Sequence, residues 1–270
     1  MFISDSHNDF LTTLQGLELE NYNNSHEDSI ISSAIFTTNK NYSLNTIKSL
    51  SKIIRKKKNL ILSIEDLGFI KSIDELNKLI KLKPFSTTLT WNDINQYAGG
   101  ANSNLGLTDL GIETIKKLEK SNIIIDTAHL SRKSFYDFID ITAKPIYNSH
   151  SNIDSLFSHN RNLTDDQISH IVNSNGYMGI TLYQKFISNT PICSFDIALQ
   201  FDYLIRNFSS YHFGFGTDFY GIDNDFLPID ISCYDDLNKV ANHLLSFGHN
   251  YDIVERIMYK NFLEFTNFIN

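Results

Sequence analysis

The chain has 270 residues, of which 41% are hydrophobic and 20% charged, a composition typical of a globular protein with a sizeable core. Lys and Arg number 23 against 31 Asp and Glu, so the net charge of −8 makes nucleic acids and anionic membranes poor candidate partners. The only dense basic run, Arg55-Lys56-Lys57-Lys58, is short and is interpreted as a helix C-terminus. No apolar run approaches the roughly 18 residues that a membrane-spanning helix needs.

Two isolated cysteines, Cys193 and Cys233, form neither a CxxC pair nor a regular framework. This argues against a disulfide scaffold and a cysteine metal site, and favours a reducing compartment. We therefore expect a cytoplasmic globular protein. Its oligomeric state stays open, with a homodimer as one option.

Along the chain, short apolar and β-branched runs alternate with amphipathic stretches that are typical of helices. Eight runs predict strands: Phe2–Ser6, Ile30–Thr37, Leu60–Ile64, Ser86–Thr90, Ile123–Thr127, Pro145–Ser149, Tyr177–Leu182 and His212–Thr217. Their starts lie about 30 residues apart on average, which is the length of one βαβ step.

Helix starts are indicated between these runs. Ser72 and Thr164 each begin a Ser/Thr-x-x-Glu/Gln capping box, in which two side chains satisfy free N–H groups at a helix start. Ser131 predicts a further start, and residues 252–270 predict a C-terminal helix. Because no linker divides the chain, residues 1–270 are predicted to form a single α/β domain, a (β/α)₈ TIM-type barrel with a C-terminal helix.

Side chains that bind metals or move protons cluster at the carboxyl ends of five predicted strands. They are His7, Asp9, Glu65, His129, His150 and Asp218. In a closed parallel barrel these strand ends meet on one rim, where barrel enzymes have their sites. Residues some 200 positions apart in the sequence are therefore expected to share one pocket.

The types of these residues favour a metal site. Imidazole and carboxylate ligands without thiolate suit Zn²⁺, Mn²⁺, Co²⁺ or Fe²⁺. His7, Asp9, Glu65, His129 and His150 are too many for one tetrahedral catalytic site, but they are enough for two metals about 3.5 Å apart if one carboxylate bridges them. Taken singly, each has an ordinary interpretation as a loop, turn or helix residue. Their shared placement is what favours the metal site.

At these positions the sequence resembles the renal, or membrane, dipeptidase family of binuclear zinc hydrolases. The matching segments are Asp5–Asp9, Ser63–Glu65, Gly106–Gly111, Ile125–Ser131, Pro145–Ser151, Arg161–Asp166 and Gly214–Phe219. Their order and approximate spacing agree over nearly the whole chain. The resemblance implies that His7 and Asp9 bind one metal and that His129 and His150 bind the other, with Glu65 bridging the pair.

The resemblance also implies roles in catalysis and substrate binding. Asp218 would move the proton between the bridging water and the leaving amine. Arg161 would pair with the C-terminal carboxylate of the substrate, because a planar guanidinium binds a carboxylate through two hydrogen bonds. Its own context alone also fits a surface arginine ahead of the capping box.

The sequence departs from the family at two places. The family commonly has a substrate-contacting histidine after the fourth strand, where this chain has Trp91. The family also has the segment Asp-Phe-Asp-Gly, whereas this chain has Tyr220 in place of the second aspartate. Trp91 is expected to line the substrate pocket and offer an apolar face to the substrate, with packing at the barrel rim as the alternative. Metal ligation is thus predicted to be intact, and substrate choice is predicted to be altered.

The leading hypothesis is a metallo-dipeptidase with two divalent ions, zinc being the expected metal, that hydrolyses small dipeptides by attack of a metal-bridged hydroxide. One alternative is a related amidohydrolase that acts on another small amide or on a modified or D-configured peptide. Another is a catalytically silent barrel that serves as a binding protein. Loss of a ligand would have favoured the silent barrel, and none is lost.

Overall fold

A computed structural model of the chain describes residues 1–13, 29–37, 43–54, 57 and 59–269. The basic run at 55–58 lies outside these residues except for Lys57. Among the described residues, no helix has both the length and the apolar character needed to cross a bilayer.

Eight short parallel strands form the framework. They are β1 Asp5–Asn8, β2 Ile31–Phe36, β3 Leu60–Glu65, β4 Ser86–Thr88, β5 Ile124–Asp126, β6 Tyr147–Ser151, β7 Tyr177–Ile180 and β8 Phe213–Phe215. They make a closed barrel in the order β1 to β8. Ten helices lie between and after the strands: α1 Phe10–Thr13, α2 Leu44–Ile54, α3 Ile73–Ile80, α4 Asp109–Lys120, α5 Arg132–Ile139, α6 Asp165–Asn173, α7 Ser194–Asn207, α8 Asn238–Ser246, α9 Tyr251–Glu255 and α10 Asn261–Ile269 among the described residues. The predicted (β/α)₈ barrel is therefore confirmed.

The backbone divides into two compact units. The first unit comprises the described parts of residues 1–8, 24–31 and 148–270, and the second comprises those of 9–23 and 32–147. The first unit holds β1, β7, β8 and most of β6, whereas the second holds β3, β4, β5 and most of β2. That residues 1–270 form a single domain stays a prediction.

In the first unit, β8 lies between β1 and β7. Asp5 is in register with Phe215, and Gly179 is in register with Gly214. Tyr177 of β7 packs on Phe262 of α10, with the ring centroids 5.0 Å apart. The C-terminal helix α10 thereby packs against strand β7 through aromatic side chains.

The C-terminal segment is helical from Tyr251 to Ile269, as the sequence predicts, but it is not a regular α-helix throughout. A π-helical turn, Arg256–Lys260, separates α9 from α10. The turn buries both Ile257 and Met258, and α10 buries Phe262. An inserted π turn shifts the apolar face by one residue, and a regular helical period does not reveal that shift.

In the second unit, β3, β4 and β5 pair in register, with Ser63 opposite Ser86 and Thr88 opposite Asp126. The hydroxyls of Ser32, Ser63 and Ser86 form a chain, with Oγ–Oγ distances of 2.6 and 2.8 Å. These buried hydroxyls satisfy one another, so polar side chains are accommodated on neighbouring strands without unpaired groups.

The predicted helix starts are present, with one correction. The hydroxyl of Thr164 accepts from the backbone N–H of Gln167, and the backbone N–H of Thr164 donates to Oε1 of Gln167 at 3.0 Å, so the capping box before α6 is complete. Ser131 caps α5, and Ser72 caps α3. The side chain of Glu75, however, accepts from the backbone N–H of Lys71 at 2.6 Å, one residue before the predicted partner Ser72. At the start of α3, Glu75 therefore satisfies the N–H of Lys71, where the predicted capping box would have it satisfy the N–H of Ser72.

Candidate metal centre

Two predicted ligands, His7 on β1 and His150 on β6, lie side by side in the first unit. Both are buried, and their ring centroids are 3.9 Å apart. The hydroxyl of Ser149 lies 2.7 Å from Nδ1 of His150 and 3.5 Å from Nδ1 of His7. Since that hydroxyl lies beside the Nδ1 atom of each ring, Nε2 is the natural ligand atom of both.

Ser149 is held in this place by the neighbouring strands. The hydroxyl of Ser6 donates to the carbonyl oxygen of Ser149 at 2.6 Å. A Cβ atom at Gly179 or Gly216 would overlap that same carbonyl oxygen. These two positions need glycine because the backbone of β6 approaches β7 and the end of β8 closely.

Asp218 follows β8 and faces His7. Its Oδ1 lies 3.7 Å from Nε2 of His7, and its backbone N–H donates to the carbonyl oxygen of His7 at 3.0 Å. Ligand atoms of His7 and His150, and likewise of His7 and Asp218, lie within 4.8 Å of one another, close enough to share a cation. The first unit thus contains two groups of possible metal ligands, and His7 belongs to both.

The buried carboxylate of Asp5 ties the ends of β1 and β8 together, a role that the sequence does not reveal. It accepts from the backbone N–H and the hydroxyl of Thr217 at 2.9 and 2.6 Å, from the hydroxyl of Tyr234 at 2.7 Å, and from the backbone N–H of His7 at 3.1 Å. Burial raises the pKa of Asp5, and these hydrogen bonds oppose that rise. Asp5 therefore fixes the strand ends from which His7 and Asp218 project.

In the second unit, Glu65 at the end of β3 contacts His129 after β5. Oε1 of Glu65 and Nε2 of His129 are 2.8 Å apart, and both side chains are buried. Nδ1 of His129 lies 2.8 Å from Oδ1 of Asn92. Asp9 is also buried and directly precedes α1, whose residue Thr12 donates its backbone N–H to the carbonyl oxygen of Asp9.

Backbone strain marks the strand ends of both units. Asp66, His129, Asp218 and Tyr220 have φ values between 60° and 71°, and each follows a strand. Side chains other than glycine rarely adopt this left-handed conformation, and it costs on the order of 1–3 kcal/mol where it persists. Strain of this kind is concentrated at functional sites.

The two predicted substrate-binding residues belong to different units. Trp91 of the second unit is half-buried, with its ring centroid 6.0 Å from that of His129 and 5.4 Å from that of Phe36. Arg161 of the first unit is buried, and one of its guanidinium nitrogens donates to the carbonyl oxygen of His150 at 3.3 Å. The interpretation of Arg161 as a surface residue is therefore wrong.

His159 lies next to Arg161. Its Nδ1 accepts from the backbone N–H of Arg161 at 3.1 Å, and its ring packs on Phe186 with the centroids 4.6 Å apart. Burial, followed by the charge of Arg161, lowers the pKa of His159. The imidazole is thus held as a neutral neighbour of the guanidinium.

The side chains present suit divalent metals. Imidazole nitrogens and carboxylate oxygens are the ligands of zinc in barrel hydrolases, and neither cysteine belongs to the groups that could hold a cation among the described residues. The sequence predicted the ligands from their positions after strands. It missed Asp5, Ser149 and Asn92, whose only signal is that each is close in sequence to a predicted site residue.

Comparison with known proteins identifies the family of this chain. The sequence model of the membrane dipeptidase family, peptidase family M19, matches residues 31–269. The fold and the site define the chain as a metal-dependent hydrolase with a (β/α)₈ barrel. It belongs to the membrane dipeptidase family, and the predicted resemblance is confirmed.

Relatives share about a third of their aligned residues with this chain. A protein from the pqqA 5′ region of Klebsiella pneumoniae is 30% identical over 188 residues, which are 64% of this chain and 68% of that protein. A dipeptidase of Schizosaccharomyces pombe, described as uncharacterized, is 31% identical over 160 residues, which are 56% of this chain. The match spans only 38% of the length of the S. pombe protein.

Solved structures share the fold at lower identity. A metallopeptidase from Rhodobacter sphaeroides, liganded with a phosphinate mimic of the dipeptide L-Ala-D-Ala, has a TM-score of 0.85 at 17% identity over 99% of both chains. Dipeptidase AC, a metallopeptidase of family M19, has a TM-score of 0.84 at 18% identity over 99% of this chain and 98% of that chain. At these identities the likeness establishes the fold.

Proposed function

We propose that the protein is a dipeptidase that hydrolyses small dipeptides with two divalent metal ions, zinc being the expected metal. His7 and Asp9 would hold one ion, His129 and His150 the other, and Glu65 would bridge them. The observation that carries this proposal is burial, because the five side chains are each at most 5% exposed. Ionisable groups are rarely buried unless they are paired or bind metals.

The contacts within each unit support this assignment. In the first unit, Ser149 lies at Nδ1 of both His7 and His150, which leaves Nε2 of each ring as the ligand atom. In the second unit, the 2.8 Å contact of Glu65 with His129 brings together a carboxylate and an imidazole that would serve the same ion. A bound pair of ions would lower the pKa of a shared water molecule and polarise the scissile carbonyl.

The remaining residues would bind the substrate and move the proton. Asp218 would accept the proton of the attacking water and return it to the leaving amine, and its position beside His7 suits that role. Arg161 would bind the C-terminal carboxylate of the dipeptide, and Trp91 would contact a substrate side chain through its apolar face.

The stereochemistry of the substrate is the second part of the proposal. The structurally similar metallopeptidase of Rhodobacter sphaeroides holds a mimic of L-Ala-D-Ala, so a D-configured second residue is included as an alternative to the L,L dipeptides. A related amidohydrolase activity on another small amide is the second alternative.

The test combines metal content with turnover. We expect close to two zinc ions per chain by elemental analysis, loss of activity on chelation, and hydrolysis of L-Ala-L-Ala, L-Ala-D-Ala or both. Glu65→Gln should cut the rate by orders of magnitude with the fold retained, because a neutral amide cannot supply the same charge to two cations. Glu113→Gln on the exposed part of α4 is the matched control and should leave the rate unchanged.

Two outcomes would contradict the proposal. At most one metal per chain after incubation with zinc or manganese would refute the bridged pair. Two bound metals without turnover of any dipeptide would favour the other amidohydrolase activity or the catalytically silent barrel.

A further inference from the structure

The segment after β4 carries a contact that the proposed function does not use. Oδ1 of Asn92 lies 2.8 Å from Nδ1 of His129, and Asn92 is half-buried. We propose that Asn92 is a positioning residue, which fixes the ring orientation and the tautomer of His129 so that Nε2 is presented to the metal. This inference rests on the proposed function, because His129 must be a ligand for its orientation to affect metal binding.

The chemistry of the contact determines the tautomer. A neutral imidazole carries its proton on one nitrogen and a lone pair on the other. The amide oxygen of Asn92 only accepts hydrogen bonds, so it holds the proton on Nδ1 of His129. Nε2 lies 2.8 Å from Oε1 of Glu65, so its lone pair becomes available in this tautomer when a cation, in place of a proton, is shared with the carboxylate.

The short segment Gly100–Asn102 holds both partners of this hydrogen bond. The backbone N–H of Asn102 donates to the carbonyl oxygen of Asn92 at 2.8 Å, and the backbone N–H of Ala101 donates to the carbonyl oxygen of His129 at 2.8 Å. The backbone of Asn92 and that of His129 are thus attached to two adjacent residues of one turn. Asn92 is therefore held in place independently of its side-chain contact.

Gly100 allows this close approach. A Cβ atom there would overlap the carbonyl oxygens of Trp91 and Asn92, so the two segments can meet only at a residue without a side chain. Gly100 also forms an antiparallel bridge with Leu130, the residue after His129. His129 itself is in the strained left-handed conformation, with φ of 68°.

The experiment measures metal affinity and does not depend on turnover. Asn92→Leu keeps a similar shape but removes the acceptor, whereas Asn92→Asp keeps an acceptor oxygen. Asn102→Leu makes the same chemical change on an exposed side chain, whose amide nitrogen donates to Oδ1 of Asp93 at 3.1 Å, and serves as the matched control. For each variant, zinc per chain is counted by elemental analysis, and the two dissociation constants are measured by competition with a chromophoric chelator.

We expect Asn92→Leu to weaken the binding of one of the two zinc ions about 10- to 100-fold and to leave the affinity for the other unchanged. This is the range for loss of a residue that orients a metal ligand. Asn92→Asp should restore the affinity to within a few-fold of the wild type, and Asn102→Leu should match the wild type. Thermal melts of the metal-free variants report whether each one folds.

Two results would overturn the inference. If the Asn92→Leu variant binds both ions as tightly as the wild type does, the contact of Asn92 with His129 does not orient the ring for metal binding. If the Asn92→Asp variant binds zinc as poorly as the Asn92→Leu variant does, the oxygen of Asn92 does not act as the hydrogen-bond acceptor that positions His129. A wild type that binds only one ion would instead refute the two-metal function, and the effect of Asn92→Leu on that ion would still decide the positioning role.

Discussion

Arg161 combines a permanent charge with nearly complete burial. Its guanidinium lies 5.4 Å from the centroid of Phe186, and it donates to the backbone carbonyl of His150. The guanidinium is thus oriented by the same strand that carries a proposed metal ligand. A buried cation attached to this strand suits the recognition of a small anionic group.

Arg161→Ala removes this buried guanidinium. We expect it to reduce hydrolysis of free dipeptides at least about ten-fold more than hydrolysis of their C-terminal amides, because a charge-assisted hydrogen bond is worth roughly 1.5–3 kcal/mol. The measurement is kcat/KM for each member of the substrate pairs. Arg206→Ala, which removes an exposed arginine paired with Asp202, is the control and should affect neither substrate. Equal losses on both substrates would exclude Arg161 from carboxylate recognition.

The second prediction concerns Trp91, which packs near His129 and Phe36. An indole donates one hydrogen bond but cannot become cationic, so it cannot supply the charge of an imidazolium to a developing oxyanion. We expect slow turnover of Gly-Gly and a preference for dipeptides with a bulky apolar side chain. Comparison of the wild type with Trp91→His and Trp91→Ala on small and bulky dipeptides tests this. If neither substitution changes the ratio of the specificity constants, Trp91 is rim packing only.

At the scale of single elements, helix α6 begins immediately after the segment that carries Arg161. Leu163 of that segment donates to the carbonyl oxygen of Asn152, and Thr164 then starts the helix with a complete capping box. The cap therefore ends a loop whose backbone is already attached to the residues that follow β6.

We predict that Thr164→Ala destabilises the protein by about 1 kcal/mol, the usual cost of losing a Thr cap. The transition midpoint of a chain of this size should fall by roughly 2–4 °C. Ser169→Ala in the same helix is the control, because its hydroxyl only donates back to the carbonyl of Asp165 and alanine favours the helix. A midpoint for Thr164→Ala that equals that of Ser169→Ala would contradict the assigned role of the cap.

The sequence pattern predicts where strands occur better than it predicts where they begin and end. All eight runs became strands, but β1 covers Asp5–Asn8 where Phe2–Ser6 was predicted. The shift arises because four polar residues of β1 are buried, and an apolar pattern does not select such a stretch as a strand. The same applies to β6, which continues through His150 to Ser151. Both errors fall where polar residues of the candidate site replace apolar ones.

At the scale of the whole molecule, the family, the barrel and the class of metal-dependent hydrolase are established. The five-ligand assignment, the substrate and the identity of the metal are proposals. The single-domain organisation, the oligomeric state and the cytoplasmic location stay predictions. The metal content of the purified protein bears most directly on the proposals, because both the bridging role of Glu65 and the positioning role of Asn92 depend on it.

The amino-acid sequence alone determined the fold class, and it predicted which residues would bind the metals. The alternation of strands and helices every 30 residues or so specifies a barrel, and the parallel topology predicts that side chains such as Glu65 and His129, which follow strands, meet at one edge of the sheet. Both signals are local in the chain, so they can be read without any contact information.

Only the tertiary structure decided which polar groups contact the proposed ligands. The hydroxyl of Ser149 reaches His7 across 142 positions of the chain, and the amide of Asn92 reaches His129 across 37. These contacts depend on left-handed backbone conformations and on glycines that admit another backbone, as Gly100 does for Asn92. Such features leave no periodic pattern in the sequence, because they arise from the close approach of segments that are distant in the chain.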